Sequence, residues 1–276
     1  MPDDNRVREP ALQRHFDQCN RYNPGDYTPF LIGGSRYGWL RHEHAKLLAT
    51  CLPDDYQTLP DGSVTLASSW DDFKTRSAAI ARGTDQLLTS ISCKLRHEMY
   101  AVQHDWPDVP VAEVDRSVIP WFGFRAFGVH VNGYVHKPDG LYLWVGERAM
   151  DRQASPGKLD NLVGGGMPIG ITPTENLCKE AFEEAAIPRE LALTARPAPS
   201  ISYKVARHDG LRNDTLLIYD LELPESFTPH NTDGEVAAFH LMPIAEVLHI
   251  IRTTDRFKFN CNLVIIEFAE RMGFLS

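Results

Sequence analysis

The chain has 276 residues, 43% of them hydrophobic, and a formal net charge of −9. This length and apolar content suffice for one large or two modest domains with real cores. The acidic balance excludes non-specific nucleic-acid binding, which needs a basic patch, and no segment reaches the length of an apolar membrane span.

The start of the chain, MPDDNRVREP, has no apolar signal region and carries acidic residues unlike a transit peptide. Residues 1 to about 115 read as a mixed, helix-leaning region. HEHAKLLATCL (42–52) is helix-like, and residues 69–91 contain at least one helix, with Ser69 as a cap and Gly83 as a break. Pro107, Pro110 and Pro120, set among charges, mark a domain boundary. Strands follow. RAFGVHVNGYVH (125–136) alternates apolar and polar positions, and LYLWV (141–145) continues it across a hairpin connection. Gly164, Gly165 and Gly166 read as a glycine-rich turn, and Thr172, Pro173 and Glu175 as a helix start with a capping box. SISYKVA (200–206) and TLLIYDLEL (215–223) pair across HDGLRND, EVAAFHLM (235–242) is a further strand, and 244–251 and 261–273 are helical. The order predicts an α/β/α sandwich on a mixed sheet over 116–276, preceded by a smaller α+β domain over 1–115. The five cysteines are odd in number, widely spaced and without a CxxC pair. They read as reduced thiols of a cytoplasmic protein, and Cys178 as a filler on its helix.

The chemistry concentrates in KEAFEEA (179–185). Glu180, Glu183 and Glu184 are three and four residues apart and share one helix face. Their mutual repulsion is relieved by a hard divalent cation with a preference for oxygen ligands. A solvated acidic face is the ordinary alternative for such a run. The capped helix and the glycines, which can bring backbone amides close to a ligand, favour the site.

The stretch 165–187 resembles the Nudix hydrolase box. Gly165 takes the first position, Glu180 the Glu of its Arg-Glu pair, Glu183 and Glu184 its Glu-Glu pair, and Ile187 the closing aliphatic. Ile171 stands where the box has its first Glu, Lys179 where it has Arg, and Ala186 where it has the second Gly. Lys179 keeps the charge but loses the bidentate fork, and Ala186 is expected to extend the helix. PGKLDNLVGGG (156–166), DGEVAAFHLMPIAEV (233–247), GWLRHEHAKLL (38–48) and KLRHEMYAV (94–102) narrow the resemblance. They are similar to a branch with its own N-terminal extension, which includes the Nudix portion fused to thiamine pyrophosphokinase in fungi.

The resemblance implies the Nudix α/β/α fold and metal-dependent hydrolysis of a diphosphate-linked small molecule. It implies Glu180, Glu183 and Glu184 as ligands of Mg²⁺, with Mn²⁺ fitting the same oxygens. Glu235 is a further catalytic carboxylate, or a surface loop residue. Arg148, Lys158 and the Gly164–Gly166 backbone are the candidates for gripping the diphosphate. The branch points to thiamine diphosphate or its oxidised analogues, cleaved to the monophosphate. ADP-ribose or a nucleoside diphosphate sugar is the alternative, as is a non-catalytic diphosphate sensor. The extension is a substrate lid or a homodimer contact, and neither nucleic acid nor membrane is an expected partner. Asp160 and Asn161 read as turn-forming side chains, Trp121, Trp144 and Tyr203 as core aromatics, and His130, His136 and His208 as ordinary strand or loop residues.

Overall fold

The computed structural model describes residues 7–152, 154–208 and 210–275. The first six residues of the segment read for a leader therefore lie outside the description. Helix α1 (Pro10–Cys19) is followed by strands β1 (Tyr27–Ile32) and β2 (Ser35–Arg41), helix α2 (His42–Cys51), strands β3 (Tyr56–Thr58) and β4 (Val64–Leu66), and helix α3 (Phe73–Leu88). The four strands form a sheet in the order β2-β1-β4-β3, in which only β1 and β4 are parallel. A hairpin of β5 (Met99–Val102) and β6 (Ala112–Asp115) leads to the short helix α4 (Ile119–Phe122). This half is thus richer in sheet than its helix-leaning pattern predicts. Strands β3 to β6, of three or four residues, are too short to show a period of two, and Pro29 in β1 and Gly38 in β2 weaken the strand pattern there. Helix α3 starts from Asp72, not Ser69, because the Asp72 carboxylate accepts the Thr75 amide at 2.8 Å in a capping box. It runs unbroken through Gly83.

The second half contains β7 (Arg125–Lys137), β8 (Gly140–Arg148), β9 (Leu159–Asp160), β10 (Val163–Gly166), α5 (Pro173–Ala185), α6 (Arg189–Ala192), β11 (Arg196–Pro197), β12 (Ile201–Arg207), β13 (Gly210–Glu222), β14 (Val236–Pro243), α7 (Ile244–Thr253) and α8 (Cys261–Arg271). Its sheet runs β11-β13-β7-β8-β14, with β9, β10 and β12 paired on β8, β7 and β13. The β7–β13 pair is parallel and the others antiparallel, so the sheet is mixed as predicted. The connection read as HDGLRND is shorter than expected, because β13 begins at Gly210 and carries LRND into the ladder with β12.

Both faces of β7 are covered. Val131 and Val135 pack with Leu177, Ala181 and Ala185 of α5. Tyr134, with Leu141 and Leu143, packs on Ile251, Ile265 and Phe268 of α7 and α8. The alternation read in 125–136 therefore does not separate core from solvent: His130 and Asn132 are buried as well. The packing also exchanges elements across the expected boundary at residue 115. Trp121 and Phe122 join the core of the N-terminal sheet, whereas Leu12 and Cys19 of α1 join clusters of the C-terminal half.

Candidate active site

Helix α5 is held at both ends. At its start Thr172 Oγ1 accepts the Glu175 amide at 3.2 Å, and the Glu175 carboxylate accepts the Thr172 amide at 3.0 Å. At its end Ala186 turns into the left-handed region at φ 51°. The expected extension of the helix through Ala186 is thereby corrected. The neighbouring loop takes the last carbonyls: the Thr232 hydroxyl donates to Glu183 O at 2.6 Å and the His230 amide to Ala185 O at 3.2 Å.

The same loop positions Glu235. Asn231 Oδ1 accepts the amides of Asp233 and Gly234 at 3.2 and 3.0 Å, and Asp233 Oδ1 accepts that of Glu235 at 2.8 Å. Gly234 supplies the φ of 86° that this turn requires. Glu235 then lies near enough to Glu180 to raise its pKa electrostatically, while pairing with Arg152 at 2.6 Å.

Glu180 and Glu183 flank the Lys179 ammonium at 3.0 and 2.8 Å. Burial, opposed by Lys179, nets out to push the Glu180 carboxyl above its ordinary range. Lys179 is pushed up in turn, since its two carboxylate partners outweigh its burial. Glu184 lies deeper. It accepts the Gly164 amide at 2.8 Å, and burial, the dominant cause, drives its pKa well up. The three carboxylates are therefore not equivalent: Glu183 is open, Glu180 largely covered, and Glu184 buried as a tie between α5 and β10.

The glycine run is not a turn. Gly164, Gly165 and Gly166 lie in β10, in register with His130, Val129 and Gly128 of β7, and none has a positive φ. Their smallness admits neighbours: a Cβ at Gly165 would lie 2.2 Å from the Glu180 carboxyl carbon, and one at Gly166 would lie 1.7 Å from the Tyr100 hydroxyl. The run thus seats Glu180 and Tyr100, and the Gly164 amide is already given to Glu184.

Arg148 and Lys158 are engaged elsewhere. Arg148 pairs with Asp160 at 2.8 Å and donates to Ala154 O at 3.0 Å, and Lys158 donates to Asp255 O at 2.5 Å. Both side chains are thus engaged at the Asp160 and Asp255 side of the sheet. Lys179 and Arg152 are the cations in contact with these carboxylates; Arg116, ion-paired with Glu98, sits 5.4 Å over the Tyr100 ring and couples electrostatically to Glu180. The sequence reading missed it because it falls in the segment read as a boundary.

Asp160 is a buried hub and not a turn former. It pairs with Arg148 and with Lys258 at 3.1 Å and accepts the Cys261 thiol at 2.6 Å. His130, Asp160 and Cys261 bring one ligand atom each within 4.8 Å of the others. Two cations already neutralise that carboxylate, however, and the thiol is spent as a donor, so the trio is a satisfied core network. Trp121 and Tyr203 are buried in the core, as read. Cys19, Cys51, Cys178 and Cys261 are free thiols. No helix among the described residues is long and apolar enough to cross a membrane.

The chain matches the family model described as a domain of unknown function, DUF4743, over residues 11–126. It is 37% identical to Nudix hydrolase 24, chloroplastic, of Arabidopsis thaliana, covering 94% of this chain and 72% of that one. It is 36% identical to Nudix hydrolase 20, chloroplastic, of the same plant, covering 96% and 74%. An uncharacterized protein of Saccharomyces cerevisiae, YJR142W, is 32% identical, covering 98% and 84%. The chain belongs to the Nudix hydrolase family. It is an enzyme of the class that hydrolyses diphosphate bonds, and such hydrolases generally use divalent metal ions.

The residues present fit such an ion. The space between Glu180 and Glu183 already draws a cation, the chain's own Lys179 ammonium, and the donors are hard carboxylate oxygens.

Proposed function

We propose that this protein is a Mg²⁺-dependent pyrophosphohydrolase that cleaves thiamine diphosphate, or an oxidised analogue, to the monophosphate and phosphate. The observation that carries the reaction is the gathering of Glu180 and Glu183 around one cation position, with Glu235 brought towards Glu180 from a separate loop. The thiamine assignment is supported by the stretches 38–48, 94–102, 156–166 and 233–247, which resemble the branch that includes the thiamine pyrophosphokinase fusions.

In this reading Glu180 and Glu183 would hold Mg²⁺, with Glu184 and Glu235 alongside. The ion would supply positive charge to the phosphate oxygens and Lewis acidity for activating water. Glu184 fixes the spacing of α5 and β10 through the Gly164 amide. Arg116, held by Glu98, lies on the side of the N-terminal hairpin. That hairpin is joined to the box loop by the Ile169 amide, which donates to Met99 O at 2.8 Å, and this supports a lid role for the extension. The free thiols of Cys19, Cys51, Cys178 and Cys261 support residence in a reducing compartment such as the cytosol, which a tagged chain would test by imaging.

The test is a panel of thiamine diphosphate, its oxidised analogues, ADP-ribose and nucleotide sugars, with Mg²⁺, Mn²⁺ or EDTA and products identified by mass. Metal-dependent formation of a thiamine monophosphate is expected. Turnover of the nucleotide substrates alone would refute the thiamine assignment. Ile171 and Lys179, where the box has Glu and Arg, favour one second reading, a diphosphate sensor. A folded protein silent across the panel would select it.

A further inference from the structure

A cavity of about 310 Å³ opens between the N-terminal hairpin and the loop that leads into α5. Its walls are aromatic and apolar: Tyr100, Trp106, Phe127 and Met167 line it, and Trp106 meets Phe127 edge to face at 6.3 Å between ring centroids. Two polar groups in that lining lack hydrogen-bond partners. Gln103 is only 2% exposed, and its Nε2 is buried without an acceptor; the Tyr100 hydroxyl is likewise buried and unpartnered. A buried donor left unpaired is costly, and native proteins rarely keep one without a use. Asp108 contributes one carboxylate, and the lining includes no lysine or arginine among the described residues.

The cavity adjoins the carboxylates. Tyr100 is its shared wall: the hydroxyl lies against Gly166, and the Tyr100 ring feels the charge of Glu180. The loop over 167–171 is held to both sides, by the Met167 amide on Phe127 O at 2.9 Å and the Ile169 amide on Met99 O at 2.8 Å.

Building on the diphosphate hydrolase reading, we propose that this cavity binds the organic end of the substrate, a planar heteroaromatic ring that is neutral or cationic. Trp106 and Phe127 provide the apolar and aromatic surface for the ring. Gln103 Nε2 donates to a ring nitrogen or carbonyl on its edge. The carboxylate and the absence of cations select against an anionic group at this end, so the diphosphate points towards Glu180 and Arg116. Gln103 and Trp106 are the specificity-determining residues of the extension.

The test separates ring binding from hydrolysis by using unphosphorylated probes. Thiamine and adenosine are titrated calorimetrically into the full chain, in EDTA and in Mg²⁺. At least one should bind, equally well with or without metal. Gln103→Leu and Trp106→Ala, each checked for folding by near-UV circular dichroism, should weaken that binding about 10-fold or more, while Glu183→Gln leaves it unchanged. Failure of both probes to bind the wild-type chain overturns the proposal. So does wild-type affinity in both folded variants. Gln103-dependent binding of adenosine alone upholds the cavity and removes the thiamine assignment. Gln103-dependent binding of thiamine without turnover of any diphosphate in the panel upholds the cavity and removes the hydrolytic reading.

Discussion

At position 186 a methyl group stands where the family box has glycine. The Ala186 backbone is left-handed at φ 51°, where the Cβ crowds the following carbonyl. The conformation is imposed from both sides, by the amide of Ala186 on the α5 carbonyls and by the 230–232 loop that caps the helix end. Ala186→Gly removes the steric cost and gives back part of it as backbone entropy. The net gain should be about 0.5–1 kcal/mol, seen as a melting temperature higher by about 2 °C. An unchanged or lower melting temperature would show that the helix end relaxes around alanine. Lys179 departs from the box differently. It keeps a charge between Glu180 and Glu183, so what the substitution loses is the fork and not the neutralisation.

Between the elements, the layer joining β7 to α8 carries a pH dependence. Burial, reinforced by Lys258, lowers the His130 pKa to about 4. The unfolded chain holds this proton with a pKa of about 6.5. Between these values the unfolded state binds more protons, so the contribution is complete above pH 6.5 and is lost as pH falls towards 4. Asp160 acts in the same direction at lower pH: Lys258 and Arg148 outweigh its burial and hold its carboxyl well below the usual range. His130→Gln should therefore flatten the loss of stability between pH 7 and pH 5 in urea titrations. A slope identical to that of the wild type would place the imidazole in contact with water. This layer was illegible in the sequence because Asp160 and Cys261 are 101 residues apart. The alternation in 125–136 announced a strand but not that its polar face is buried too. What was legible is local. The Thr172–Glu175 capping box, the β7–β8 hairpin and the spacing of Glu180, Glu183 and Glu184 all depend on neighbours within a few residues. The glycine run misled for the same reason. Its purpose is contact with Glu180 and Tyr100, from elements the run itself does not reveal.

On the scale of the whole molecule, the C-terminal sandwich carries the carboxylates and the N-terminal half closes one side of the site with β5 and β6. The family model over residues 11–126 has no assigned function, and its placement here gives it one to be tested, that of a wall around the substrate's organic end. This wall was not readable from the sequence, in which Gln103 and Trp106 fall in a stretch marked only by its prolines. The central claim is that α5 supports metal-dependent cleavage of a diphosphate. The measurement that tests it most directly is hydrolysis of thiamine diphosphate and ADP-ribose by the wild type and by Glu183→Gln, each in Mg²⁺ and in EDTA. The wild type should turn over at least one of them in Mg²⁺ and fall to background in EDTA. The half-exposed Glu183→Gln should lose about 100-fold or more in rate with an unchanged melting temperature. Turnover that persists in EDTA, or a variant as fast as the wild type, would contradict the claim.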